Sequence, residues 1–257
     1  MDLLSYQDTA LHKIDPRAKL LVALFFILTV LSFGKYEISS LIPFFIFPIY
    51  FLSFGNIPVM YIVKKILMVS PFVLMIGIFN PIIDRNIIVY LAGIGISGGW
   101  ISFASILIKF ILTVSTAFTL IACTGFNNIC FGLNRLGVPK IFTTQLLFLY
   151  RYIFVLAEEA ARMIRARNLR SFNKKGRGIK SYGPLLGNFF LRTINRAERL
   201  HLAMLCRGFD GNVRVMNRFG FGLNEFLFML IWVSIFILFR LMDVTQISGD
   251  FFMRLFL

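Results

Sequence analysis

The sequence contains few of the residues that build metal centres or catalytic sites. Its 257 residues include only two histidines, three cysteines and 12 acidic residues. Cys123, Cys130 and Cys206 lack the spacing of a zinc site, and His12 and His201 are too few to surround a metal ion. We therefore interpret all five residues as structural, and we expect neither a metal site nor a cofactor in this chain.

The chain also lacks the motifs of an enzyme that binds ATP or cleaves a substrate. A phosphate-binding loop needs glycine directly before its Lys-Ser/Thr pair, so that backbone amides surround the phosphate. The nearest candidate, Lys180-Ser181, follows Ile179 instead. The apolar segments contain no paired carboxylates and no Ser-His-Asp set. We therefore expect a protein that is not an enzyme.

Apolar side chains are abundant. Hydrophobic residues make up 58% of the chain, 31 residues are Phe, and the mean hydropathy is +0.80. A soluble domain of this size cannot bury so much apolar surface, so the pattern predicts an all-α integral membrane protein in a lipid bilayer. Runs near the length of a transmembrane helix lie at about 20–34, 38–62, 66–83, 101–122 and 223–242.

These runs predict about five transmembrane helices, with three irregularities. The second run contains three prolines, and we expect it to be kinked rather than broken. Residues 86–99 are apolar but rich in glycine and too short to span, which favours an extracytoplasmic hairpin over the alternative of a sixth span. Lys109 lies inside the fourth run, where a charge is costly, so we expect it to snorkel or to contact the interior of the bundle.

The positive charge is concentrated in one segment. Residues 124–220 hold 17 Lys or Arg and four acidic residues, which gives +13 of the total net charge of +15. The Lys and Arg distribution puts this segment and the N-terminus in the cytoplasm and the C-terminus outside. The predicted domains are an N-terminal membrane domain at 1–123, a basic cytoplasmic domain at 124–220, and a C-terminal span with its tail at 221–257. A basic segment between spans suits anionic lipid or an acidic partner, and we expect no nucleic-acid partner.

Two long helices are predicted within the basic segment. Apolar residues recur at helical spacing from Pro139 to about Arg170, and a heptad-like seam follows Pro184. The first stripe consists of Leu146, Leu149, Tyr150, Ile153, Ala157, Ala160, Ala161 and Ile164, and the second of Leu186, Phe190, Thr193, Ala197, Leu200 and Met204. Residues 171–178, with their turn formers, predict an exposed linker between the helices. Gly208 is expected to end the second helix, with Arg207 projecting from its last turn.

Several segments carry a resemblance to a known family. The segment Leu11–Leu20, which reads LHKIDPRAKL, looks like the entry to the first span in the CbiQ/EcfT transmembrane components of energy-coupling factor transporters. That family carries two short Ala-Arg-Gly-like motifs on cytoplasmic coupling helices, and two triplets here match them. The triplets are Ala166-Arg167-Asn168 and Cys206-Arg207-Gly208, so that only the arginine is kept in both. The cobalt branch is suggested by residues 79–85, 151–154, 187–192 and 196–199.

The resemblance implies a coupling subunit in the inner membrane of a bacterial or archaeal cell. Its implied partners are CbiO-like ABC-type ATPase subunits, which the two arginine triplets contact, and a CbiM-like membrane substrate-binding subunit, with or without CbiN. The ligands of the transported cobalt or nickel ion would then lie outside this chain. Two alternatives stay open from the residues alone. The arginines only complement helix dipoles, or the chain is a self-sufficient ion channel or carrier with a basic regulatory domain and with Lys109 and Asp84 as pathway groups.

Overall fold

The structure is a computed structural model that describes residues 9–83, 87–91, 94–170, 182–211, 220 and 222–241. In chain order these residues form α1 (Ala10–Lys13), α2 (Pro16–Leu31), a 3-10 helix (Ser39–Phe45), α3 (Ile46–Phe54), α4 (Val59–Gly77), α5 (Asn80–Ile83), β1 (Ile87–Leu91), β2 (Ile94–Ser97), α6 (Gly98–Thr124), α7 (Phe126–Arg135), α8 (Lys140–Arg170), α9 (Tyr182–Cys206) and α10 (Leu223–Leu241). The prediction of an all-α integral membrane protein is confirmed, with a two-stranded hairpin as the exception. Asp84, the predicted linker at 171–178 and the C-terminal tail lie outside the described residues.

The chain divides into two compact units. The first consists of the described part of Met1–Gly132 together with that of Asn217–Leu257, and the second of the described part of Leu133–Met216. The start of the predicted basic domain, residues 124–132, therefore packs within the first unit.

Helix α6 is the central element of the first unit, because it contacts α2, α3, α4 and α5. Its buried face carries the small polar residues Ser105, Thr116 and Thr119, and small side chains allow helices in a membrane to approach closely. The Thr119 hydroxyl donates to the Ser115 carbonyl oxygen at 2.8 Å, so this polar group is satisfied within its own helix.

Aromatic side chains fill the space between α2, α3 and α10. The Phe26 ring lies 4.7 Å from the Phe47 ring and 5.2 Å from the Phe236 ring, centre to centre. Trp232 meets Phe47 edge-on at 4.8 Å. Aromatic pairs at these separations contribute beyond the area that they bury. Part of the high Phe content therefore forms a protein core rather than a lipid-facing surface.

Four helices among the described residues are long and apolar enough to cross a membrane, namely α4, α6, α8 and α10. The chain is thus a multi-pass membrane protein. Helix α2 has 16 residues, and the helical stretch Ser39–Phe54 is also short. Because α8 lies in the segment that the charge pattern puts in the cytoplasm, the arrangement of five spans stays a prediction.

The second predicted span is not a single kinked helix, and that prediction is wrong. Helix α3 ends at Phe54 and α4 begins only at Val59. Asn56 adopts a positive φ of 52° between them, and Pro58 lacks an amide hydrogen and disfavours the helical conformation in the residue before it. The chain therefore breaks where the sequence analysis expected a bend.

A β-hairpin lies between α5 and α6. Strands β1 and β2 are antiparallel, with Tyr90 opposite Gly95 and Leu91 opposite Ile94. This segment is the one for which the sequence predicts a hairpin, and it forms strands rather than a sixth helix. Its position on the outer side of the membrane stays a prediction.

The charge inside α6 contacts the turn that follows α2. The Lys109 Nζ donates to the carbonyl oxygens of Phe33 at 2.6 Å and of Gly34 at 3.2 Å. Both carbonyls lie in the turn that follows α2, where backbone oxygens have no partner within the helix. The expectation of a contact with the bundle is therefore confirmed, and the partners are carbonyls rather than an acid.

Candidate functional site

The second unit contains a pair of long antiparallel helices, α8 and α9. Near the start of α8, the Phe148 ring lies 6.1 Å from the ring of Phe209, which follows the end of α9. Near the end of α8, the Arg167 guanidinium lies over the ring of Tyr182 at 4.0 Å, and Tyr182 begins α9. The end of each helix thus lies beside the start of the other.

Helix α9 ends as the sequence predicts. The Gly208 amide donates to the Leu205 carbonyl at 2.9 Å, and the Phe209 amide donates to the Met204 carbonyl at 3.0 Å. Gly208 has a φ of +73°, which glycine adopts without the steric cost that other residues incur. This is a Schellman termination, and Phe209, the residue after its glycine, contacts the Phe148 ring of α8.

The two arginine triplets lie at opposite ends of this pair. Arg167 is half-buried in the last turn of α8, and Arg207 is exposed directly after the last residue of α9. The other four triplet residues, Ala166, Asn168, Cys206 and Gly208, are exposed. Helix α9 has 25 residues, and a rise of about 1.5 Å per residue makes it roughly 37 Å long. About this distance separates the two ends at which the arginines lie.

The predicted seam of α9 matches the face that packs only in part, since Thr193, Leu200 and Met204 are half-buried as expected. Leu186 and Phe190 were expected in the seam, but they are 61% and 63% exposed. The half-buried residues of α9 are Leu185, Phe189, Thr193, Arg196, Leu200 and Met204. The helix is apolar on two adjacent faces, so the sequence period alone could not identify the face that meets α8. The helix predicted from the α8 stripe is present, and of that stripe Tyr150, Ala160 and Ala161 are half-buried whereas Leu149 and Ile153 are exposed.

Glu159 connects α8 and α9 on one side of the pair. Its carboxylate oxygens lie 2.9 Å from Arg162 of its own helix and 3.4 Å from Arg192 of α9. A cleft of about 610 Å³ opens on this side, lined by Leu156, Glu159, Arg192, Thr193, Asn195, Arg196, Arg199 and Leu200. One carboxylate faces three arginines there, so the cleft is basic.

Large apolar side chains are exposed on the other flanks of the same helices. They include Leu146, Leu149, Ile153 and Ile164 of α8 and Leu186, Phe190, Ile194 and Leu205 of α9. With 3.6 residues per turn, Phe190, Ile194 and Leu205 lie on the side of α9 opposite its cleft arginines, whereas Leu149 and Leu186 lie at the edge of the cleft, seven residues from Leu156 and Thr193. The cleft side of the pair is therefore basic, and α9 also has an apolar side.

The structure adds no metal centre to this picture. Among the described residues, no group of three or more His, Cys, Asp or Glu side chains could hold a metal ion. Cys123 and Cys130 are buried and Cys206 is exposed, and all three are free thiols. The exposed Cys206 lies directly before Arg207 in the second triplet.

A family comparison decides what kind of protein carries these triplets. The family described as CbiQ, cobalt transport protein, matches residues 7–219. The chain belongs to the CbiQ family. It is a transmembrane component of the type found in energy-coupling factor transporters, as the resemblance implied. The matched residues include both arginine triplets and the segment Leu11–Leu20.

Individual relatives agree with this assignment. An uncharacterized protein of Methanocaldococcus jannaschii is 27% identical over 244 residues, which cover 91% of this chain and 82% of that protein. The energy-coupling factor transporter transmembrane protein EcfT of Brevibacillus brevis is 26% identical over 79% of this chain and 82% of its own length. The cobalt transport protein CbiQ of Rhodobacter capsulatus is 33% identical over a shorter region, 34% of this chain and 36% of that protein.

Sequence reasoning missed three features of the site. It did not find the stacking of Arg167 on Tyr182, the contact of Phe209 with Phe148, or the bridging role of Glu159. For the second, an apolar residue directly after a C-terminal glycine is expected to contact its own helix, and nothing local indicates Phe148 of α8 as its partner. The other two depend on which residues of α9 lie opposite α8, and no local pattern specifies that pairing.

Proposed function

We propose that this protein transmits ATP-driven motion from ABC-type ATPase subunits to a membrane substrate-binding subunit, and that the imported substrate is a cobalt ion. In this role the chain is not catalytic, since hydrolysis belongs to the ATPase subunits. Metal binding belongs to the substrate-binding subunit, so the cobalt ion is cargo rather than a resident cofactor.

The position of the two arginines supports this proposal most directly. Arg167 and Arg207 lie at opposite ends of one helical pair, roughly 37 Å apart along α9. An ABC-type ATPase acts as a pair of subunits, and each subunit offers its own surface to the membrane component. Two separated arginines can therefore each contact a different ATPase subunit. A pair of helices connected at both ends by side-chain contacts then moves as one body when the ATPases close.

The chemistry of the contacts follows from the guanidinium group. Arginine presents a planar set of donors that binds a carboxylate or several carbonyl oxygens, whereas lysine offers a point charge. The basic side of α8 and α9 favours an acidic partner surface through long-range attraction. The apolar side is suited to the substrate-binding subunit or to lipid, because a large exposed apolar patch marks an interaction surface.

The test is a set of substitutions in the complete complex. Arg167→Ala with Arg207→Ala should leave membrane insertion intact, and should weaken ATPase association by about 2–5 kcal/mol for each arginine that is buried on binding. The same double variant should lose ATP-dependent uptake of radiolabelled cobalt. Arg167→Lys with Arg207→Lys should give association and uptake between those of the double Ala variant and the parent. Association is measured by co-purification of the ATPase subunits at known concentrations, and uptake in the same cells.

Two control variants separate an ATPase contact from local packing. Arg165→Ala removes an exposed arginine of the same helix two residues from Arg167, and it should behave like the parent. Tyr182→Leu removes the stacking partner of Arg167 and leaves the charge in place. If the double Ala variant assembles and transports like the parent, the arginines only complement helix dipoles.

The alternative of a self-sufficient carrier has less support. It relied on Lys109 and Asp84 as pathway groups, and Asp84 lies outside the described residues. The Lys109 ammonium is engaged by two backbone carbonyls. A group that stabilises a turn in this way has a structural reason to lie in an apolar helix, so its charge needs no transport role to explain it.

A further inference from the structure

Helix α7 is the element through which the chain passes from the first unit to the second. It runs from Phe126 to Arg135, and the boundary between the units falls between Gly132 and Leu133. One continuous helix thus belongs to both units. Because a helix is held by hydrogen bonds along its whole length, a displacement of its last turn also moves its earlier turns.

Gly132 brings α7 into close contact with the first turns of α2. A Cβ atom at this position would lie 2.8 Å from Leu20 Cδ1 and 3.2 Å from Pro16 Cβ. The Leu20 side chain has some freedom to move, whereas the proline ring and its backbone do not. Only glycine therefore allows this approach without a shift of one helix against the other.

The part of α2 that Gly132 touches is itself held firmly. Asp15 and Lys19 are each only 1% exposed. The Asp15 Oδ1 accepts a hydrogen bond from the Arg17 amide at 2.9 Å and caps the helix, and the Lys19 Nζ donates to the His12 carbonyl at 3.4 Å. Buried charged groups are costly to separate from their partners. The start of α2 is therefore a fixed surface for α7.

The start of α7 is also fixed. Gly125 links α6 to α7 with φ 75° and ψ 149°, a backbone conformation that is essentially restricted to glycine. The Asn128 side chain donates to the Thr124 carbonyl at 2.9 Å across this corner. Helix α7 is thus held at the Gly125 corner and at the Gly132 contact, both within the first unit.

We infer that Gly132 is a positioning residue for energy coupling, and that its contact with Pro16 and Leu20 passes a displacement of the second unit to α2. The inference rests on the proposed function, which supplies the ATP-driven displacement. It adds the place at which that displacement enters the first unit. A bulkier residue at position 132 separates α7 from α2 and loosens the contact, while the arginine triplets stay unchanged.

The experiment follows α2 directly in the complete complex with its ATPase subunits in lipid nanodiscs. An environment-sensitive fluorescent amino acid replaces Leu24, which is on α2 and 57% exposed. The ATP-dependent change in its fluorescence is measured beside the rate of ATP hydrolysis. Gly132→Ala should reduce the fluorescence change to less than half of the parent value and leave hydrolysis unchanged. Gly132→Leu should abolish the change.

Two further variants control for size and for folding. Gly187→Ala places the same methyl group on α9, where nothing lies within 4 Å, and it should give the parent signal. Leu20→Ala combined with Gly132→Ala removes the nearest clashing side chain and should restore most of the signal. If Gly132 has only a structural role, Gly132→Ala will lower the complex yield, the rate of ATP hydrolysis and the fluorescence change together. Leu20→Ala will then not restore the fluorescence change selectively.

Each remaining outcome counts against the inference. A parent complex that hydrolyses ATP without a fluorescence change at position 24 shows that the displacement does not reach α2. A Gly132→Ala complex with the full signal shows that the contact is not needed. If the parent does not associate with ATPase subunits at all, the proposed function fails first, and the inference falls with it.

Discussion

At the residue scale, Lys109 and Lys19 show two ways in which this protein keeps a cation inside an apolar region. Lys109 donates to two carbonyls in the turn after α2, and Lys19 donates to the His12 carbonyl of α1, the short helix before it. Helix ends leave backbone groups without partners, and an ammonium group can satisfy several carbonyls at once. The two lysines thus act at the two ends of one helix.

Lys109→Met should destabilise the protein. It removes the donor to the Phe33 carbonyl, and leaving a buried acceptor without a partner costs about 1–3 kcal/mol. The expected result is a lower melting temperature of the purified protein in detergent. Lys64→Met is the matched control, because Lys64 is exposed on α4, and it should melt like the parent. A Lys109→Met protein with the parent melting temperature and no transport would instead favour a pathway role for this residue.

At the scale of the element, α9 shows how a helix end is specified more sharply than a helix face. Gly208 fixes the end through a left-handed conformation that few other residues tolerate. No comparable signal fixes the face, because Leu186 and Phe190 have the same apolar character as Leu185 and Phe189. The residues that pack against α8 are decided by the partner helix and by the ring of Phe209, which anchors the far end of the pair.

Two glycines of α9 should respond oppositely to the same change. Gly208→Ala forces alanine into a left-handed conformation at a cost of about 1–2 kcal/mol. Gly187→Ala lies in the helix interior with open space around it, and it should stabilise the helix by up to about 1 kcal/mol. Thermal unfolding followed by circular dichroism measures both. Equal shifts of the same sign would contradict the assignment of Gly208 as the helix-ending residue.

At the scale of the whole molecule, the orientation in the membrane depends on charge. Residues 124–220 hold 17 of the chain's 27 Lys and Arg, and such segments remain on the cytoplasmic side. By length and composition, helix α8 could span a membrane, but the second half of this 31-residue helix contains several arginines. The hydropathy therefore favours an α8 that spans the membrane, whereas the charge favours an α8 in the cytoplasm.

Reporter fusions decide between these positions. We expect a fusion at residue 175 to report the cytoplasm and a fusion at residue 257 to report the outer side, as the positive-inside rule requires. A spanning α8 would put residue 175 outside. A fusion at residue 35 should report the outer side in either case, since it follows α2, and it serves as the control for the reporter.

The sequence by itself determined the class of protein, most helix positions, the end of α9 and the family. These features depend on composition, on runs of apolar residues, on glycine conformation and on short motifs, all of which are local in the chain. The tertiary structure decided the break between Phe54 and Val59, the packed face of α9, and the partners of Lys109 and Gly132.

Lys109 meets Phe33 across 76 positions of the chain, and Gly132 meets Pro16 across a still larger separation. Helical periodicity specifies which residues share a face, but it does not specify what lies opposite that face. The relative position of two helices is set by the packing of all their side chains together, and this is why the contact that we propose for coupling could not be found from the sequence.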